Sequence, residues 1–311
     1  MTRIILDTDP GIDDALALFL ALASPEVQLE AITTVSGNVG VDFTTSNALA
    51  LLELARRADI PVARGSARPL LRPPVYAAYV HGSRGLGYLA LPPPERSPVT
   101  SHAVDVIIET IMNAPGEIAL VPIGPLTNIA LAVRREPRIA ERVREVVIMG
   151  GALRVPGNTA PAAEFNIFVD PHAAHVVFHA GWPIRLVSLD TTMQVELQRD
   201  QVDALAASGS PVTTAIKQMA DFYFDVFAPV YGVSAFHMHD PLCLAAAFMP
   251  DLLTWESVYV DVELQGALTL GQTVAYFRDP DARPPNMQVA VAVAADRFMQ
   301  LFLERIRGRF G

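Results

Sequence analysis

The stretch RIILDTDPGIDDALALFLALA, residues 3–23, decides the fold and carries the first chemical signal of the chain. Residues 3–6 are a strand-like run that stops at Asp7, and residues 15–22 are apolar almost all round, as in a buried helix. A serine-proline pair follows and ends this helix. The stretch therefore predicts a buried strand, an acidic turn and a buried helix.

Short apolar runs and helical patterns continue to alternate along the chain. Further strands are predicted at residues 29–35, 118–123, 143–149 and 184–189, and further helices at residues 46–57 and 128–133. This alternation implies parallel strands joined by crossover helices on both faces of the sheet. We therefore predict an α/β fold in which residues 1–311 form a single domain around a mostly parallel, open, Rossmann-like central sheet. Ligands are expected at the carboxyl ends of its strands.

Composition narrows the class of protein. The 311 residues are 51% hydrophobic and only 18% charged, against about 25% charged in an average soluble domain, which excludes intrinsic disorder. A formal net charge of -10 argues against nucleic acid as a partner. The single cysteine, Cys243, forbids an internal disulfide, and no apolar run reaches the roughly 18 residues of a membrane span. We expect a cytoplasmic protein that binds a small polar or cationic ligand and neither nucleic acid nor a membrane.

Four aspartates, Asp7, Asp9, Asp13 and Asp14, follow the first predicted strand, and no lysine, arginine or histidine comes after them until Arg56. Clustered carboxylates raise one another's pKa or bind a cation, and a hard divalent ion with oxygen ligands is the usual one. The alternative is that the acids only cap the helix and favour its positive end. Capping explains one or two acids rather than four, so the cluster favours a metal site.

A strand that ends in Asp-x-Asp also resembles the haloacid-dehalogenase-like phosphatases, in which the first aspartate is a nucleophile. Those enzymes need a lysine beside the phosphoryl group. Lys217 is the only lysine of the chain, and it lies in an amphipathic helical pattern with no strand or loop glycine before it. The phosphatase interpretation is weakened and stays open.

Two later segments combine polar groups that admit either a functional or a structural explanation. FHMHDP, residues 236–241, precedes an apolar helix, so Asp240 suits an N-cap with Pro241 at N1. Two histidines just before it add an acid/base group beside a possible third metal ligand. Residues 157–166 place amide, hydroxyl and acid groups after a strand and a Gly-Gly turn. These groups suit sugar hydroxyls, with a surface loop as the equal alternative.

Packing is the better explanation for two further patterns. His172, His175 and His179 share one face of a helix at a spacing that could hold zinc, but the opposite face is apolar, so a solvated polar side is preferred. The aromatic residues between positions 222 and 231 are expected mostly in the core, with some lining an apolar pocket that stacks on a planar ligand.

The opening DTDPGIDD, residues 7–14, and AITTVSGN, residues 31–38, are followed in order by four later motifs. These are residues 124–130, Met149-Gly150-Gly151, Ala163-Glu164-Phe165-Asn166-Ile167 and His239-Asp240-Pro241. Together they resemble the motifs of the inosine-uridine preferring nucleoside hydrolases, in that family's order and near its spacing. The resemblance covers residues 3–307.

This resemblance implies a calcium-dependent enzyme that hydrolyses the N-glycosidic bond of ribonucleosides to ribose and a free base. The implied metal ligands are the carboxylates of Asp9, Asp14 and Asp240 and the backbone carbonyl of Ile123. The implied substrate-binding residues are Asp13, Asn38, His81, Met149, Asn158, Glu164, Phe165, Asn166 and Tyr231. Of these, His81 and Tyr231 are expected near the base and Met149 near the sugar. Asp9 and His239 are the implied catalytic residues, and His239 would protonate the departing base.

For the chemistry we expect direct displacement with inversion at an oxocarbenium-like ribosyl group, by a water that the ion holds and Asp9 deprotonates. The resemblance also implies a homodimer or homotetramer. Purine, pyrimidine and mixed base preference all stay open, since the loop around Arg84 and residues 220–236 are where this preference is set. Two other functions stay open: a haloacid-dehalogenase-like phosphatase, and a non-catalytic calcium-dependent nucleoside or ribose binding protein.

Overall fold

Strands and helices alternate through most of the computed structural model, which describes residues 1–232, 235–278 and 283–311. The strands are β1 (Thr2–Thr8), β2 (Val27–Thr34), β3 (Val62–Arg64), β4 (Ile118–Pro122), β5 (Glu145–Met149), β6 (Ile184–Val187), β7 (Glu196–Leu197), β8 (Phe236–His237), β9 (Leu253–Val258), β10 (Val260–Val262), β11 (Thr273–Ala275) and β12 (Met287–Val293).

The α-helices are α1 (Ile12–Ala23), α2 (Val41–Leu54), α3 (Ala78–His81), α4 (Ala103–Asn113), α5 (Thr127–Arg135), α6 (Phe165–Val169), α7 (Pro171–Phe178), α8 (Leu189–Thr192), α9 (Arg199–Ala206), α10 (Pro211–Phe222), α11 (Ala228–Tyr231), α12 (His239–Phe248) and α13 (Ala295–Phe310). A π-helical turn, Tyr223–Phe227, joins α10 to α11. Within the described ranges, none of the helices has the length and apolar character needed to cross a membrane.

Eight of the described strands form one sheet in the order β3-β2-β1-β4-β5-β6-β12-β9. Its neighbouring strands are parallel except for the edge pair β12 and β9, which is antiparallel. The chain runs outward from β1 through β2 and β3 and then returns to the other side of β1 at β4. The carboxyl ends of β1 and β4 therefore flank the point where the strand order reverses, which is where open α/β sheets bind ligands. The predicted fold class, a mostly parallel open sheet in a single α/β domain, is confirmed.

Alternate side chains of β1 point to opposite faces of the sheet and enter two separate hydrophobic clusters. Ile4 and Leu6 join the cluster that includes α1, α12 and α13, whereas Ile5 joins the cluster that includes α4, α5 and α7. All three side chains are fully buried. Because helices cover both faces, a central strand needs apolar residues at successive positions. This explains why residues 4–6 show no alternation of polar and apolar side chains.

Two boundaries differ from the sequence-based expectation. The predicted helix 46–57 begins earlier, at Val41, and ends at Leu54. Its first turn contains Thr44 and Thr45, whose hydroxyls donate to the carbonyl of Val41, so residues that suit a loop are absorbed into the helix. The alternative that Asp240 is an N-cap with Pro241 at N1 is wrong: α12 begins two residues earlier than that, at His239, and Met238 is at the N-cap position.

Candidate active site

The candidate site lies at the carboxyl end of β1, where the strand order reverses. The chain passes from β1 into α1 there, and α1 packs against α12. This packing brings Asp9, Asp13 and Asp14 beside Asp240, and all four carboxylates are buried. Residues more than 200 positions apart in the chain thus place their acids in one small volume.

Hydrogen bonds hold both oxygens of Asp14. Its Oδ1 accepts from the Thr8 hydroxyl and from the backbone N–H of Asp9 at 3.1 Å. Its Oδ2 accepts from the backbone N–H of Gly11 and from Nδ2 of Asn38, both at 3.0 Å. Asp14 therefore takes the capping role at the start of α1, where the helix dipole also favours a negative charge.

In contrast, Asp9 is bound on one side only. Its Oδ2 accepts from the backbone N–H of Asn38 at 2.6 Å, whereas its buried Oδ1 has no hydrogen-bond partner among the described residues. Glycines pack directly against this carboxylate: a Cβ at Gly37 would lie 2.1 Å from Oδ2, and one at Gly124 would lie 2.3 Å from Oδ1. A buried acceptor without a partner costs about 1–3 kcal/mol, so Asp9 is prepared for a bound group rather than for stability.

Burial raises the pKa of all four aspartates above its usual value, to about 8 for Asp13. Charges of neighbouring aspartates raise the pKa of Asp9, Asp13 and Asp240 further. Carboxylate oxygens of Asp13, Asp14 and Asp240 lie within 4.8 Å of one another, with Asp9 beside this group. An all-oxygen set of buried, mutually repelling carboxylates fits a hard divalent cation. The group includes Asp13, which the resemblance assigns to the sugar.

The loop after β4 adds a backbone carbonyl to the site. The backbone N–H of Ile123 donates to the carbonyl of Asp7 at 2.8 Å, which fixes the loop against β1. Asn166 Nδ2 donates to the carbonyl oxygens of Ile123 at 2.8 Å and of Met149 at 3.3 Å. One side-chain amide thus ties the ends of β4 and β5 together and orients the carbonyl that the resemblance assigns to the ion.

The polar loop after β5 is exposed in its first half and buried in its second: Asn158 and Pro161 are exposed, whereas residues 163–166 are buried. Glu164 is the N-cap of α6 and accepts from the backbone N–H groups of Asn166 at 2.8 Å and Gly151 at 3.0 Å. Asn158 Oδ1 accepts from the backbone N–H of Phe165 at 2.9 Å. Both residues line the same cavity as the acidic group, and backbone N–H groups fix the orientation of their side chains there.

Two histidines also line the cavity: His81, which is buried, and His239, which is half-buried. The backbone N–H of Ile12 donates to His81 Nδ1 at 3.1 Å, so the His81 proton is on Nε2, which is left as a donor. His239 Nδ1 lies 2.7 Å from the Thr192 hydroxyl, so its Nε2 is the nitrogen left for a ligand. Burial lowers the pKa of both imidazoles to about 3, and both are therefore neutral at neutral pH.

The other end of the cavity is apolar and aromatic. Its lining there comprises Tyr79, Val80, Met193, Tyr223, Phe227 and Phe236. The Tyr223 ring centroid lies 4.8 Å from that of Phe227 and 4.6 Å from that of Phe236. Tyr223 and Phe227 belong to the π-helical turn, a local irregularity that is frequent at functional sites. Such a wall suits a planar ring.

Most residues that the sequence analysis assigned to the site meet in this cavity. Its lining includes Asp13, Asn38, His81, Ile123, Met149, Asn158, Glu164, Phe165, Asn166, His239 and Asp240. Asp9 and Asp14 lie outside the lining but accept hydrogen bonds from Asn38. The side chain of Tyr231 lies outside the described part of the chain.

Sequence reasoning assigned no site role to the lining residues Ala77, Tyr79, Val80, Met193 and Phe236, and it named His237 only as one of the two histidines before Asp240. One indication for His237 was present in the sequence, because it lies two positions before His239 in the same short motif. Nothing in the local pattern of Tyr79 or Met193 marks either as part of a site. A single aromatic or sulfur-containing residue has this role only through tertiary packing.

Lys217 does not approach the cavity. Its Nζ pairs with Asp203 at 2.5 Å and with Asp221 at 3.2 Å, between α9 and α10. Because Lys217 is the only lysine of the sequence, the cavity lining holds none. The phosphatase alternative therefore lacks the lysine that its chemistry requires.

An open α/β sheet, a buried acidic group that can hold a metal ion and a cavity with one polar and one aromatic end are typical of a metal-dependent enzyme acting on a small ligand. Comparison with known proteins narrows this class. The family model described as inosine-uridine preferring nucleoside hydrolase matches residues 4–300. The chain belongs to this family, which confirms the predicted family and the predicted class of enzyme, a ribonucleoside hydrolase.

Similarity to named proteins extends over nearly the whole chain. The chain is 43% identical to an inosine-uridine preferring nucleoside hydrolase of Leishmania major, over 98% of this chain and 97% of the relative. It is 40% identical to the pyrimidine-specific ribonucleoside hydrolase RihA of Salmonella arizonae, over 98% of each. Among solved structures, it matches a purine-preferring ribonucleoside hydrolase from Gardnerella vaginalis with a TM-score of 0.94 and 33% identity, over 99% of each chain.

Proposed function

We propose that this protein is a calcium-dependent hydrolase that splits ribonucleosides into ribose and a free base, and that residues 1–311 form one catalytic domain. The observation that carries the proposal is the buried Asp9 Oδ1, which has no partner among the described residues and lies beside three further buried carboxylates. A group built in this way needs a cation. The polar loop and aromatic wall next to it match the two halves of a nucleoside.

Calcium fits the donor set because every candidate ligand atom is an oxygen. The residues that would hold it are Asp9, Asp14 and Asp240 through their carboxylates and Ile123 through its carbonyl. When bound, calcium would bind the two vicinal ribose hydroxyls and lower the pKa of the attacking water. Asn166 supports this arrangement by fixing the carbonyl of Ile123.

Asp9 is the proposed general base. Its Oδ2 is occupied by the backbone N–H of Asn38, so Oδ1 is the atom that accepts the proton of the attacking water. Asp13, Asn158 and Glu164 line the polar end and hold the ribose hydroxyls. The carboxylates also stabilise the positive charge that develops on the ribosyl ring. We propose direct displacement with inversion, since no isolated nucleophile faces the cavity among the described residues.

His239 is the proposed acid for the departing base. For this step His239 takes up a proton, with the Thr192 hydroxyl bonding its Nδ1, and the resulting imidazolium gives its Nε2 proton to the leaving nitrogen as the N-glycosidic bond breaks, which returns the ring to its neutral form. The tautomer of His81 leaves its Nε2–H as a second donor to the base. The names of the relatives include purine-preferring, pyrimidine-specific and inosine-uridine preferring enzymes, so base preference needs a measurement on this chain.

One assay tests the proposal against both alternatives. The protein is incubated with inosine, uridine, cytidine and adenosine, with calcium or with a chelator, and reducing sugar and inorganic phosphate are measured. A p-nitrophenyl phosphate incubation with magnesium runs in parallel. We expect calcium-dependent release of reducing sugar from at least one nucleoside. Tight nucleoside binding without sugar release would support a binding protein, and phosphate release would support a phosphatase.

Two variants make the assay specific. Asp9→Ala should reduce turnover by orders of magnitude, because it removes both the proposed base and a proposed metal ligand. Lys217→Ala is the matched control, since this side chain bonds only surface aspartates and a phosphatase would need the lysine. It should leave nucleoside hydrolysis unchanged. Near-normal activity of Asp9→Ala would contradict the mechanism.

A further inference from the structure

A second group of metal-ligating side chains lies outside the cavity. It consists of His175 on α7, His179 at the end of the same helix, and Asp261 on β10. His175 Nδ1 lies 2.9 Å from Asp261 Oδ1, and His179 Nε2 lies 3.8 Å from Asp261 Oδ2. One ligand atom from each residue lies within 4.8 Å of the other two. None of the three residues belongs to the lining of the catalytic cavity.

The fold brings these residues together in two steps. His175 and His179 are four positions apart, so they stand above one another on one face of α7, with ring centroids 4.4 Å apart. The hairpin of β10 and β11 packs against α7 and presents Asp261 to the two rings. The spacing of the histidines could not reveal Asp261 as a third ligand, because it lies more than 80 positions further along the chain.

The protonation of His179 already suits metal binding. Its Nδ1 lies 2.8 Å from the backbone carbonyl of His175, an acceptor, so Nδ1 carries the proton and the lone pair is on Nε2. Nε2 is the nitrogen that faces Asp261 and the Tyr259 hydroxyl, which is 3.1 Å away. A ligand histidine whose other nitrogen donates to a carbonyl is the usual arrangement in metal sites.

Asp261 is also prepared as an anionic ligand. Its Oδ1 accepts from the backbone N–H of Val262 at 2.8 Å and its Oδ2 accepts from the Tyr259 hydroxyl at 3.3 Å, so the carboxylate is held in place beside the two histidines. Arg283 brings a positive charge to the cluster: its guanidinium donates to the Tyr259 hydroxyl at 2.9 Å and lies 3.8 Å from Asp261 Oδ2. Arg283 therefore balances the carboxylate in the metal-free protein and competes with any cation that binds there.

We propose that His175 Nδ1, His179 Nε2 and a carboxylate oxygen of Asp261 form a zinc site that links α7 to the hairpin of β10 and β11. Two ligands on a tetrahedral zinc ion are about 3.3 Å apart, since zinc–nitrogen and zinc–oxygen bonds are about 2.0–2.2 Å long. His175 Nδ1 lies 2.9 Å from Asp261 Oδ1 and His179 Nε2 lies 3.8 Å from Asp261 Oδ2, and one ligand atom from each residue lies within 4.8 Å of the other two, so side-chain rotations can bring one oxygen and both nitrogens to this spacing. Two imidazoles and one carboxylate select zinc over calcium or magnesium. The fourth position is open to water or to Tyr259.

Zinc titration of the full-length protein, saturated with calcium to occupy the acidic group of the catalytic cavity, tests the proposal. Isothermal titration calorimetry in a non-chelating buffer should show one zinc ion bound per chain. His175→Ala and His179→Ala should each weaken zinc binding by about tenfold or more, and the double variant should abolish it. His172→Ala is the matched control on the same helix and should bind zinc normally, because His172 is not part of the group.

Arg283→Gln separates a real site from a merely structural cluster. Removing the competing positive charge should tighten zinc binding, whereas a cluster that only packs the hairpin would show no such gain. In thermal melts, zinc should raise the Tm of the calcium-saturated wild type and not that of the double variant. Circular dichroism and nucleoside hydrolysis of the variants confirm that they fold. Zinc binding to the double variant with wild-type stoichiometry and affinity, or no binding to the wild type, would overturn the proposal.

Discussion

Replacing Asp9 by asparagine should have opposite effects on stability in the absence and in the presence of calcium. Without the ion, the buried Asp9 Oδ1 has no partner, and the charges of Asp14 and Asp13 act on the carboxylate. Asparagine has nearly the same shape as aspartate but carries no charge, so Asp9→Asn removes the repulsion between position 9 and its acidic neighbours. Its amide oxygen can still accept the hydrogen bond from the Asn38 N–H. We expect Asp9→Asn to raise the free energy of unfolding by about 1–3 kcal/mol in chelator, because removing a buried negative charge beside other carboxylates outweighs the cost of the amide hydrogens that stay unpaired.

With calcium bound, the wild type should become more stable than Asp9→Asn. A ligand that binds only the folded state adds about 2.7 kcal/mol at a hundredfold excess over its Kd. For 311 residues, an unfolding entropy of about 2.1 cal/mol/K per residue converts this into a rise in Tm of about 4 °C. The wild type should show this rise, and Asp9→Asn should show less than about 1 °C, because it has lost a ligand.

Differential scanning calorimetry of both proteins, in excess chelator and in excess calcium, measures the four Tm values. Asp170→Asn is the matched control, because Asp170 is equally buried but accepts hydrogen bonds from Leu70, Thr127 and Ala173, away from the acidic group. It should lower the Tm in both conditions and leave the calcium shift intact. An equal calcium shift in Asp9→Asn and the wild type would refute Asp9 as a ligand. No shift in the wild type would refute the calcium site.

Three further changes test other parts of the site. Asn166→Ala releases the carbonyls of Ile123 and Met149, so the calcium concentration required for activity should rise by about 10–100-fold, and an unchanged requirement would contradict this role. His239→Gln should slow nucleosides whose base needs a proton far more than p-nitrophenyl riboside, whose leaving group needs none, and equal losses on both would indicate a structural role. Calcium affinity should fall as the pH is lowered, because burial raises the pKa of the aspartates and each protonated one must lose its proton to bind the ion. Calorimetry in buffers of different ionisation enthalpy measures the released protons, and no release would contradict this linkage.

The central sheet was predictable because burial on both faces leaves a simple pattern. Residues 4–6 are apolar without interruption, and the acidic turn and the helix after them follow in one unbroken stretch. The start of α2 was not predictable in the same way. Thr44 and Thr45 suit a loop by composition, and only the backbone path after Gly40 allows their hydroxyls to bond inside a helix. The local sequence pattern predicts an element correctly where burial dictates the residue type. It fails where side-chain hydrogen bonds decide the backbone conformation.

For the acidic group, residue type and spacing indicated a metal site but could not show which role each aspartate has. Asp9 and Asp14 look alike in sequence, yet Asp14 accepts four hydrogen bonds and Asp9 accepts one. Asp240 carried the strongest structural alternative, an N-cap, and instead lies buried with the other acids because α12 packs against α1. Which N–H groups a carboxylate meets depends on this packing, which no single segment encodes.

The two ends of the cavity differ in how much a single sequence can reveal. A ribose presents hydroxyls at fixed positions, so the polar end needs particular amides and acids, and these form motifs such as residues 163–167 that are visible in the sequence. A planar base needs apolar surface and one or two donors, and many residue types supply the surface equally well. Tyr223 and Phe227 supply it here through a π-helical turn whose place in the cavity depends on how α10 and α11 pack. Base preference therefore depends on the packing of this turn and on the donors His81 and His239, and substitutions in the turn should change the choice of base while leaving the ribose end intact.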